Sequence, residues 1–376
     1  MKIAHLTSVH NSRDTRILYK ECISLAKSEH EVYLVVYGES FNESGVTVVG
    51  LGKKPANRLL RMSIGAKWVV EKGLTLDCEV YHLHDPELLP FIPKLKKAGK
   101  KVIFDSHEDV PQQILEKEWL PVRRLVSKVY TKMEKHYLRK VDAVIGVSPH
   151  LVERLKTINP NTVLVTNYPV LGTLSDKSSP VKCNVAPYIC FVGRVSQDWN
   201  HLCIVKALQQ VEGVSYVLCG KPDSQDYVDS LLKADKKGIL DYRGMISHNE
   251  VHDLYAGALA GVSWLLPTPN SAGGLGTLGN NKLFEQMAAG IPVIISDMKL
   301  WIDIINRYDC GLVVPSGDLQ GFQTAVQTLL DNSQLSYEMG KNGRRAVEEE
   351  FNWASQEKKL LEVYSKILDF KVRGKK

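Results

Sequence analysis

The stretch KIAHLTS at residues 2–8, followed by ILYKECISLAK at residues 17–27 and EVYLVVYG at residues 31–38, decides the fold of this chain. The first and third segments are short, apolar and rich in β-branched residues, whereas the middle segment has apolar residues at helical spacing. A strand, a helix and a second strand in this order predict a βαβ unit, in which the two strands are parallel neighbours.

The same alternation continues through both halves of the 376-residue chain. Further strands are predicted at 45–51, 78–84, 100–108 and 142–148, with helical stretches at 57–72, 86–99 and about 113–139. The pattern restarts with strands at 188–194, 215–221, 239–245, 261–267, 292–297 and 311–318. The fold class is therefore α/β, with two Rossmann-like, doubly wound domains that we expect to face each other across a cleft.

A stretch without helical or strand periodicity separates the two halves. Residues 168–187, YPVLGTLSDKSSPVKCNVAP, mix turn formers with polar residues, which is typical of a linker. We predict an N-terminal domain at 1–168, a linker at 169–186, a C-terminal domain at 187–352 and a final helix at 353–376.

The composition is that of a folded cytoplasmic protein. Hydrophobic residues make up 44% and charged residues 24%, and no apolar run is long enough to span a membrane. The N-terminus has the pattern of a strand and not of a secretory signal. The seven cysteines include no C-x-x-C pair of a zinc or redox site, so we expect a reducing compartment and no disulfide framework.

The positive charge is concentrated in the first half. The formal net charge is +6, and residues 1–175 carry 26 Lys+Arg against 19 Asp+Glu. Residues 115–140 interleave basic with apolar side chains, which indicates either a helix on an anionic membrane surface or a domain helix with a solvated basic face. No nucleic-acid motif accompanies the charge, so nucleic acid is not an expected partner.

Polar residues that follow the predicted strands are the candidates for chemistry. In open parallel sheets, ligands bind beyond the carboxyl ends of the strands. Arg194 follows one such strand, where a guanidinium suits a diphosphate or forms a surface ion pair. His107 follows another, where it contacts a sugar hydroxyl or is structural. In HLHD, His82 and His84 share one face and Asp85 points away, an arrangement that makes a metal cluster improbable.

A glycine-rich loop that runs into a helix is the strongest local signal. SAGGLGTLGNNKLFEQMAAG, residues 271–290, offers backbone N–H groups and a helix N-terminus to phosphate oxygens. Glu285 lies one turn inside this helix, where it can accept hydrogen bonds from ribose hydroxyls. The alternative is a surface loop before a core helix, with Glu285 on a solvated face.

The stretches quoted above, together with others along the chain, are similar to those of a known family. The chain resembles the GT-B glycosyltransferases of family 4, the retaining nucleotide-sugar enzymes, and is most similar to bacterial members that build capsular, exo- or O-antigen polysaccharides. The matching stretches occur in the family's order: HLTSVHNSRDTRILYKECISLA, YHLHDPELLP, VIFDSHEDVP, FVGR, YRGMISHNEVHDLYAGA, NNKLFEQMAAGIPVI and CGLVVPSGD.

The resemblance implies a nucleotide-sugar donor in the C-terminal domain, a glycan or lipid-linked acceptor on the N-terminal domain, and no metal or other cofactor. It also implies that the final helix at 353–376 crosses back to the N-terminal domain. It gives catalytic roles to His107, Arg194 and Glu285, the last matching the second glutamate of an E-x7-E motif. The remaining residues fall into a donor group and an acceptor group: Gly193, Lys221, Gly244, Met245, Thr277, Leu278, Gly279, Asn281 and Lys282 for the donor, and Arg13, Asp14, Arg16, His84, Asp85 and Glu108 for the acceptor or sugar.

Two positions depart from the family pattern. Thr277 stands where the motif has its first glutamate, and Trp199 stands where many members have a lysine. Lys282 or Lys221 is a candidate replacement for the missing charge. These departures leave three hypotheses: an active retaining transferase at the inner face of the membrane, a non-catalytic glycan-binding or partner subunit, and, more weakly, a nucleotide-sugar epimerase.

Overall fold

The computed structural model describes residues 1–172, 186–269 and 272–373, with side chains except at residue 248 and residues 368–373. The chain divides into two compact units, Met1–Asn167 with Ala354–Lys376 and Tyr168–Trp353. Most of the predicted linker lies outside the described residues. Within them, no helix is both long and apolar enough to cross a membrane.

The first unit is built on an eight-stranded sheet. Its strands are β1 (Lys2–Leu6), β2 (Glu31–Val36), β3 (Phe41–Glu43), β4 (Val46–Gly50), β5 (Val80–Leu83), β6 (Lys101–Ser106), β7 (Ala143–Gly146) and β8 (Thr162–Leu164). Their order is β3-β4-β2-β1-β5-β6-β7-β8, and every pairing is parallel except β3 with β4. The predicted βαβ unit is confirmed, because β1 and β2 pair in parallel from Lys2–Glu31 to Leu6–Val35.

Helical segments connect these strands. They are Ile17–Cys22, Ile23–Lys27, Arg58–Leu60, Arg61–Gly65, Ala66–Thr75, Pro86–Phe91, Ile92–Lys97, Val110–Leu115, Arg123–Leu138 and Pro149–Lys156, and Trp353–Arg373 joins this unit from Ala354 onward.

The predicted continuous helix at about 113–139 is wrong. A break at residues 116–122 separates Val110–Leu115 from Arg123–Leu138. Pro121 explains the break, because proline disfavours helical geometry at the preceding residue and lacks the N–H of a helix interior.

The second unit contains a six-stranded parallel sheet. Its strands are β9 (Tyr188–Val192), β10 (Ser215–Cys219), β11 (Leu240–Gly244), β12 (Ala260–Ser263), β13 (Val293–Ile295) and β14 (Gly311–Val313), in the order β11-β10-β9-β12-β13-β14. The helical segments are Gln197–Trp199, His201–Leu208, Gln225–Ala234, His248–Gly257, Gly273–Leu275, Asn281–Ala288, Lys299–Tyr308, Leu319–Asp331 and Ser333–Glu349.

Each sheet reverses its strand order at one point, and that point locates the candidate site. The reversal falls between β1 and β5 in the first unit and between β9 and β12 in the second. In doubly wound sheets, ligands bind at the carboxyl ends of the strands beside such a switch point. The doubly wound α/β fold class predicted from the sequence is confirmed for each unit.

Candidate active site

In the first unit, Asp85 fixes the loop that follows β1. It comes directly after β5 and His84, and it is 1% exposed. Its Oδ2 accepts hydrogen bonds from the backbone N–H groups of Ser8 at 2.6 Å and Val9 at 3.3 Å. A buried carboxylate with two backbone donors is well satisfied, so Asp85 holds the loop against the end of β5.

His10 links this loop to a second carboxylate. Its Nδ1 lies 2.9 Å from Asp14 Oδ2, and its Nε2 lies 3.6 Å from Asp85 Oδ1. Burial acts to lower the pKa of His10, but the hydrogen bond with Asp14 and the charge of Asp85 raise it above its usual value. The predicted residues Asp14 and Asp85 are therefore brought together around an imidazole that favours its charged form.

His107 lies at the carboxyl end of β6 and is oriented by Asp105. Its Nε2 is 3.0 Å from Asp105 Oδ2 and its side chain is 18% exposed. Arg16 donates to both Asp105 oxygens, at 2.9 and 3.0 Å. Burial acts to raise the pKa of Asp105, but Arg16 and His107 hold it well below its usual range. An ionised Asp105 fixes the orientation of the His107 ring.

The other residues predicted for the acceptor are in two environments. Arg16 and His84 are buried, at 4% and 2% exposure, and they contact other side chains instead of solvent. Arg13 and Glu108 are exposed; Arg13 binds Glu43 Oε2 at 3.1 Å, and Glu108 binds Gln113. Arg16 and His84 therefore support Asp105 and His107 from behind, and acceptor binding by the exposed residues stays a prediction.

In the second unit, a cavity of about 610 Å³ opens at the carboxyl ends of β9, β10 and β11. Three of the predicted donor residues, Gly193, Lys221 and Met245, line it with the predicted catalytic residue Arg194. The other lining residues are Val192, Gly220, Pro222, Asp223 and Ile246. Gly244 ends β11 beside it, with a φ of 64°. The structure thus gathers these residues from three separate strand ends.

Two glycines allow the strand ends to approach each other closely. A Cβ on Gly220 would lie 1.7 Å from the carbonyl oxygen of Gly193, and Gly220 has a φ of 132°. A Cβ on Gly193 would lie 1.8 Å from Cε of Lys282. No side chain fits at either position without displacement, so the cavity floor is made of backbone.

Arg194 stands at the mouth of this cavity. Its Nε and one terminal nitrogen donate to the two Asp223 oxygens at 2.5 and 2.8 Å, and its side chain is 69% exposed. The bidentate pair with Asp223 holds the guanidinium at the cavity mouth, in a part of the site that solvent reaches.

Lys282 brings a second cation to the same place from the helix Asn281–Ala288. Its ammonium lies 4.8 Å from the Trp199 ring centroid and 5.7 Å from that of Phe191. Burial lowers the pKa of Lys282, although Glu285 acts to raise it. Trp199 is 8% exposed and packs on Phe191 at 4.9 Å. The aromatic residue at the position of the family lysine therefore supports the Lys282 ammonium.

The loop before this helix is ordered by its own side chains. Thr277 Oγ1 accepts from the Gly279 N–H at 3.0 Å, and Trp301 donates to the Thr277 carbonyl at 2.8 Å. Asn280 caps the helix by accepting from the Lys282 N–H at 3.2 Å, and Asn281 donates to Glu285 at 2.5 Å. Leu278 packs against the core of the unit. Residue 271, part of the predicted loop, lies outside the described residues.

Asp223 is the residue that sequence reasoning missed here. It comes from the turn after β10, whereas Arg194 follows β9, and the two become neighbours only because these strands pair in parallel. The signal was an acidic residue in KPD, directly after a predicted strand. Pairing it with Arg194 requires the order of the strands, which the sequence pattern alone does not give.

Two family models match the chain. The model described as Glycosyltransferase Family 4 matches residues 15–167, and the model described as Glycosyl transferases group 1 matches residues 176–346. Among curated proteins, the chain is 24% identical over 268 residues to an alpha-maltose-1-phosphate synthase of Mycolicibacterium smegmatis, covering 64% of this chain and 67% of that one. It is 21% identical over 314 residues to a phosphatidyl-myo-inositol mannosyltransferase of Mycobacterium leprae, covering 80% and 76%.

Solved structures share the fold over nearly the whole chain. The sucrose-phosphate synthase of Thermosynechococcus elongatus superposes with a TM-score of 0.76 at 17% identity, covering 98% of this chain and 99% of that one. The Anabaena protein HepE, solved in complex with UDP and glucose, gives a TM-score of 0.73 at 15% identity, covering 97% and 100%. At these identities, the likeness shows the fold.

Proposed function

The chain belongs to the family 4 glycosyltransferases of the GT-B fold, and from that premise we propose that it transfers a hexosyl or N-acetylhexosaminyl group, with retention, from a nucleoside diphosphate sugar to a glycan or lipid-linked acceptor. The setting we propose is the synthesis of a bacterial capsule, exopolysaccharide or O-antigen. The observation that carries the proposal is the cavity at the ends of β9, β10 and β11, with Arg194 at its mouth and Lys282 against Gly193.

The diphosphate is the part of the donor that this cavity suits best. Arg194 offers an exposed guanidinium, and Lys282 offers an ammonium held by the Trp199 ring. Lys282 is in the first turn of the helix Asn281–Ala288, whose N-terminus adds the positive end of its dipole. The departure at Trp199 is compensated in this proposal, because Lys282 supplies the cation that position 199 lacks.

In the transfer step, the bond between the sugar C1 and the diphosphate oxygen breaks, and negative charge develops on the leaving group. Arg194, Lys282 and the helix N-terminus are already in place to stabilise that charge, so no metal is required in this proposal. The acceptor attacks from the face of the leaving group, and a donor phosphate oxygen takes its proton. Glu285, hydrogen-bonded to Asn281, is assigned to the donor ribose.

His107 is assigned to the transferred sugar. Its Nε2 contacts Asp105, and Arg16 holds Asp105 from behind. This arrangement fixes the ring while the side chain stays partly exposed, which suits a residue that orients a hydroxyl through its free edge.

A thermal-shift screen with UDP, GDP, ADP and CMP tests the donor assignment. We expect one nucleoside diphosphate to raise the Tm, because a ligand at 100 times its Kd adds about 2.7 kcal/mol of stability. Arg194→Ala and Lys282→Met should each abolish most of that shift. Arg345→Ala, an exposed arginine on the helix Ser333–Glu349, should leave it unchanged.

Activity is then measured as release of the nucleoside diphosphate from its sugars with a panel of acceptors. Release that depends on Arg194 supports the transferase. Tight nucleotide binding without release would favour the non-catalytic glycan-binding or partner subunit, and interconversion of the free donor without acceptor would favour an epimerase. Absence of both binding and release would overturn the proposal.

We also propose that the first unit docks on an anionic membrane surface. Large apolar side chains are exposed in two stretches of this unit: Leu59, Leu60, Met62, Ile64 and Trp68 in the first, and Trp119, Val122, Leu125, Val126 and Val129 in the second. Trp119 is 70% exposed and Leu59 is 75% exposed. Such a patch with interleaved basic residues supports membrane docking over a merely solvated basic face.

The two stretches lie near each other. Arg61–Gly65, in the first stretch, and Arg123–Leu138, in the second, both contact the segment Pro86–Phe91. Exposed apolar side chains with Lys and Arg in the same stretches combine the two forces that hold peripheral proteins on anionic lipid.

Vesicle sedimentation tests the docking. We expect the protein to sediment with vesicles of phosphatidylglycerol and phosphatidylcholine but not of phosphatidylcholine alone. The double variant Trp119→Ser/Leu125→Ser should lose most of the binding, while Leu232→Ser, an exposed leucine of the second unit, should keep it. Equal binding of the double variant and the parent would contradict the assignment.

A further inference from the structure

Three histidines lie side by side on one face of the first sheet. β1 and β5 are parallel neighbours with His5 opposite His82, and His84 follows His82 by two residues, so the three side chains point to the same face. Ring centroids are 4.5 Å apart for His5 and His82 and 4.6 Å apart for His82 and His84. All three residues are at most 2% exposed.

Glu21 closes this group from the helix Ile17–Cys22. It is fully buried, and its Oε2 lies 3.9 Å from His5 Nδ1, 3.9 Å from His82 Nε2 and 4.0 Å from His84 Nε2. Arg16 lies 3.0 Å from the other oxygen as an ion pair, yet neither Glu21 oxygen accepts a hydrogen bond. His82 Nε2 is also without a hydrogen-bond partner. Buried polar atoms left this way carry a large desolvation cost.

Glu21 is too far from the three rings for direct hydrogen bonds, whereas His5 Nδ1 and His84 Nε2 lie at hydrogen-bond distance from each other. A distance of 3.9–4.0 Å is too long for an N–H or O–H donor to reach its acceptor. Tetrahedral zinc, with bonds of about 2.0–2.2 Å to nitrogen or oxygen, places its ligand atoms roughly 3.3 Å apart. Here the His5 Nδ1–His84 Nε2 separation is 2.9 Å, the three separations from Glu21 Oε2 are 3.9–4.0 Å, and one ligand atom from each of the four residues lies within 4.8 Å of the others.

The outer nitrogens of the three rings have partners. His82 Nδ1 is 2.8 Å and His5 Nε2 is 3.2 Å from the Tyr364 hydroxyl oxygen. His84 Nδ1 is 3.2 Å from His107 Nε2 and 3.5 Å from Asp105 Oδ2. A hydroxyl oxygen has two acceptor lone pairs, so Tyr364 can accept an N–H from both rings. The inner nitrogens of those rings then carry lone pairs directed at the centre of the group, as metal-binding histidines do when a second residue holds the outer N–H.

We propose that His5, Glu21, His82 and His84 bind one divalent transition metal of the zinc class as a structural site inside the first unit. Three imidazole nitrogens and one carboxylate oxygen are ligands that zinc accepts, and four protein ligands leave no open position for catalysis. A metal at this site would crosslink β1, β5 and the helix Ile17–Cys22. Through Tyr364, it would also link them to the C-terminal helix. It is separate from the sugar-transfer step, for which the proposed function needs no metal.

Metal content of the full-length chain, produced without a histidine tag or chelator, tests the site. We expect about one zinc per chain by inductively coupled plasma mass spectrometry, and a Tm lowered by several degrees after removal with dipicolinate and restored by added zinc. Cobalt in place of zinc should give the visible absorption of a tetrahedral centre.

Variants identify the ligands. His82→Gln and Glu21→Gln should each lower the bound metal at least tenfold. His136→Gln, at an exposed histidine of the helix Arg123–Leu138, should keep one equivalent. Retention of the metal by both ligand variants would show an adventitious ion elsewhere and overturn the site.

The parent protein decides the question if a variant fails to fold. Less than about 0.1 metal per chain in folded protein, together with no uptake of added zinc in competition with a chelating dye, would overturn the proposal. None of these measurements uses a donor or acceptor, so failure of the metal site and failure of the transferase proposal are told apart.

Discussion

At the scale of single residues, the donor cavity depends on the absence of side chains at two positions. Gly220 and Gly193 bring the ends of β10 and β9 so close that a Cβ on Gly220 would overlap the Gly193 carbonyl oxygen. The contact is with backbone, so no rotamer change relieves it.

We expect Gly220→Ala to lower the free energy of unfolding by about 2–4 kcal/mol and to abolish nucleotide binding, because the two strand ends must separate. Gly213→Ala is the matched control: its φ is 74°, but a Cβ there meets nothing within 4 Å. The control should cost only the roughly 1–2 kcal/mol of a left-handed backbone. Urea unfolding measures both, and equal losses would show that the close approach is not what requires glycine.

His201 is a buried residue whose titration makes the second unit sensitive to acid. It is fully buried, its Nδ1 is 2.8 Å from the Tyr216 hydroxyl, and its Nε2 has no hydrogen-bond partner. Burial, with the nearby Lys282 cation, lowers its pKa from 6.5 to about 3. The unfolded chain binds a proton below pH 6.5 that the folded chain does not bind until about pH 3. Stability is therefore complete above pH 6.5 and is lost as the pH falls toward 3.

We expect His201→Gln to make the free energy of unfolding less dependent on pH. Below pH 6, the slope of this free energy against pH should be smaller in the variant than in the parent, by up to about 1.4 kcal/mol per pH unit. Urea unfolding at pH 4.5, 5.5, 6.5 and 7.5 measures the slope. Fluorescence of Trp264 and Trp301, which are buried in the second unit, reports on this unit. Parallel slopes for parent and variant would contradict the role of His201.

At the scale of elements, two helix caps should contribute equally to stability, but only one of them should affect nucleotide binding. Asn280 caps the helix Asn281–Ala288, which carries Lys282 and Glu285, and Ser247 caps His248–Gly257 in a reciprocal arrangement with Glu250. Replacing either cap with alanine should cost about 1 kcal/mol of stability. Only Asn280→Ala should also weaken the binding of the nucleoside diphosphate, because its helix presents the cation. Titration calorimetry of both variants measures this difference, and equal affinities would count against the assignment of Lys282.

The elements themselves were largely predictable, because the alternation of short β-branched runs with helical spacing is local. β3 and β8, three residues each, were not predicted, whereas the equally short β13 and β14 were. The break around Pro121 was also missed, because the apolar spacing continues across it. Periodicity gives the type of an element more reliably than its ends.

The candidate site was predictable where its residues follow their own strand and was missed where two elements must meet. Arg194 and His107 stand directly after strands, so their positions could be inferred from the sequence. The contacts of Asp223 with Arg194, and of Glu21 and Tyr364 with His82, join residues that are distant in the chain. Strand order and register determine such contacts, and a local sequence pattern predicts neither of them.

At the scale of the whole molecule, the chain leaves the first unit at Asn167 and returns to it at Ala354. The returning helix places Tyr364 against His82 and His5, and Gln356 accepts a hydrogen bond from the Thr166 backbone N–H at 3.0 Å. Leu360, Val363 and Ile367 are buried along it. The first unit therefore depends on a segment that follows the whole of the second.

We expect a chain ending at residue 353 to lose stability in the first unit and to keep it in the second. Removal of the helix exposes the apolar side chains that it covers in the first unit, and it leaves the outer nitrogens of His5 and His82 without Tyr364. The second unit should keep its stability because its core is a separate cluster of buried residues. Hydrogen exchange followed by mass spectrometry measures the protection of backbone amides in each unit separately.

In the truncated chain, amides of β1 and β5 should lose protection and those of β9 and β10 should retain it. Tyr364→Phe should give a smaller change of the same kind. A uniform loss across both sheets would mean that the two units unfold together, and unchanged protection in β1 and β5 would mean that the helix contributes little to the first unit.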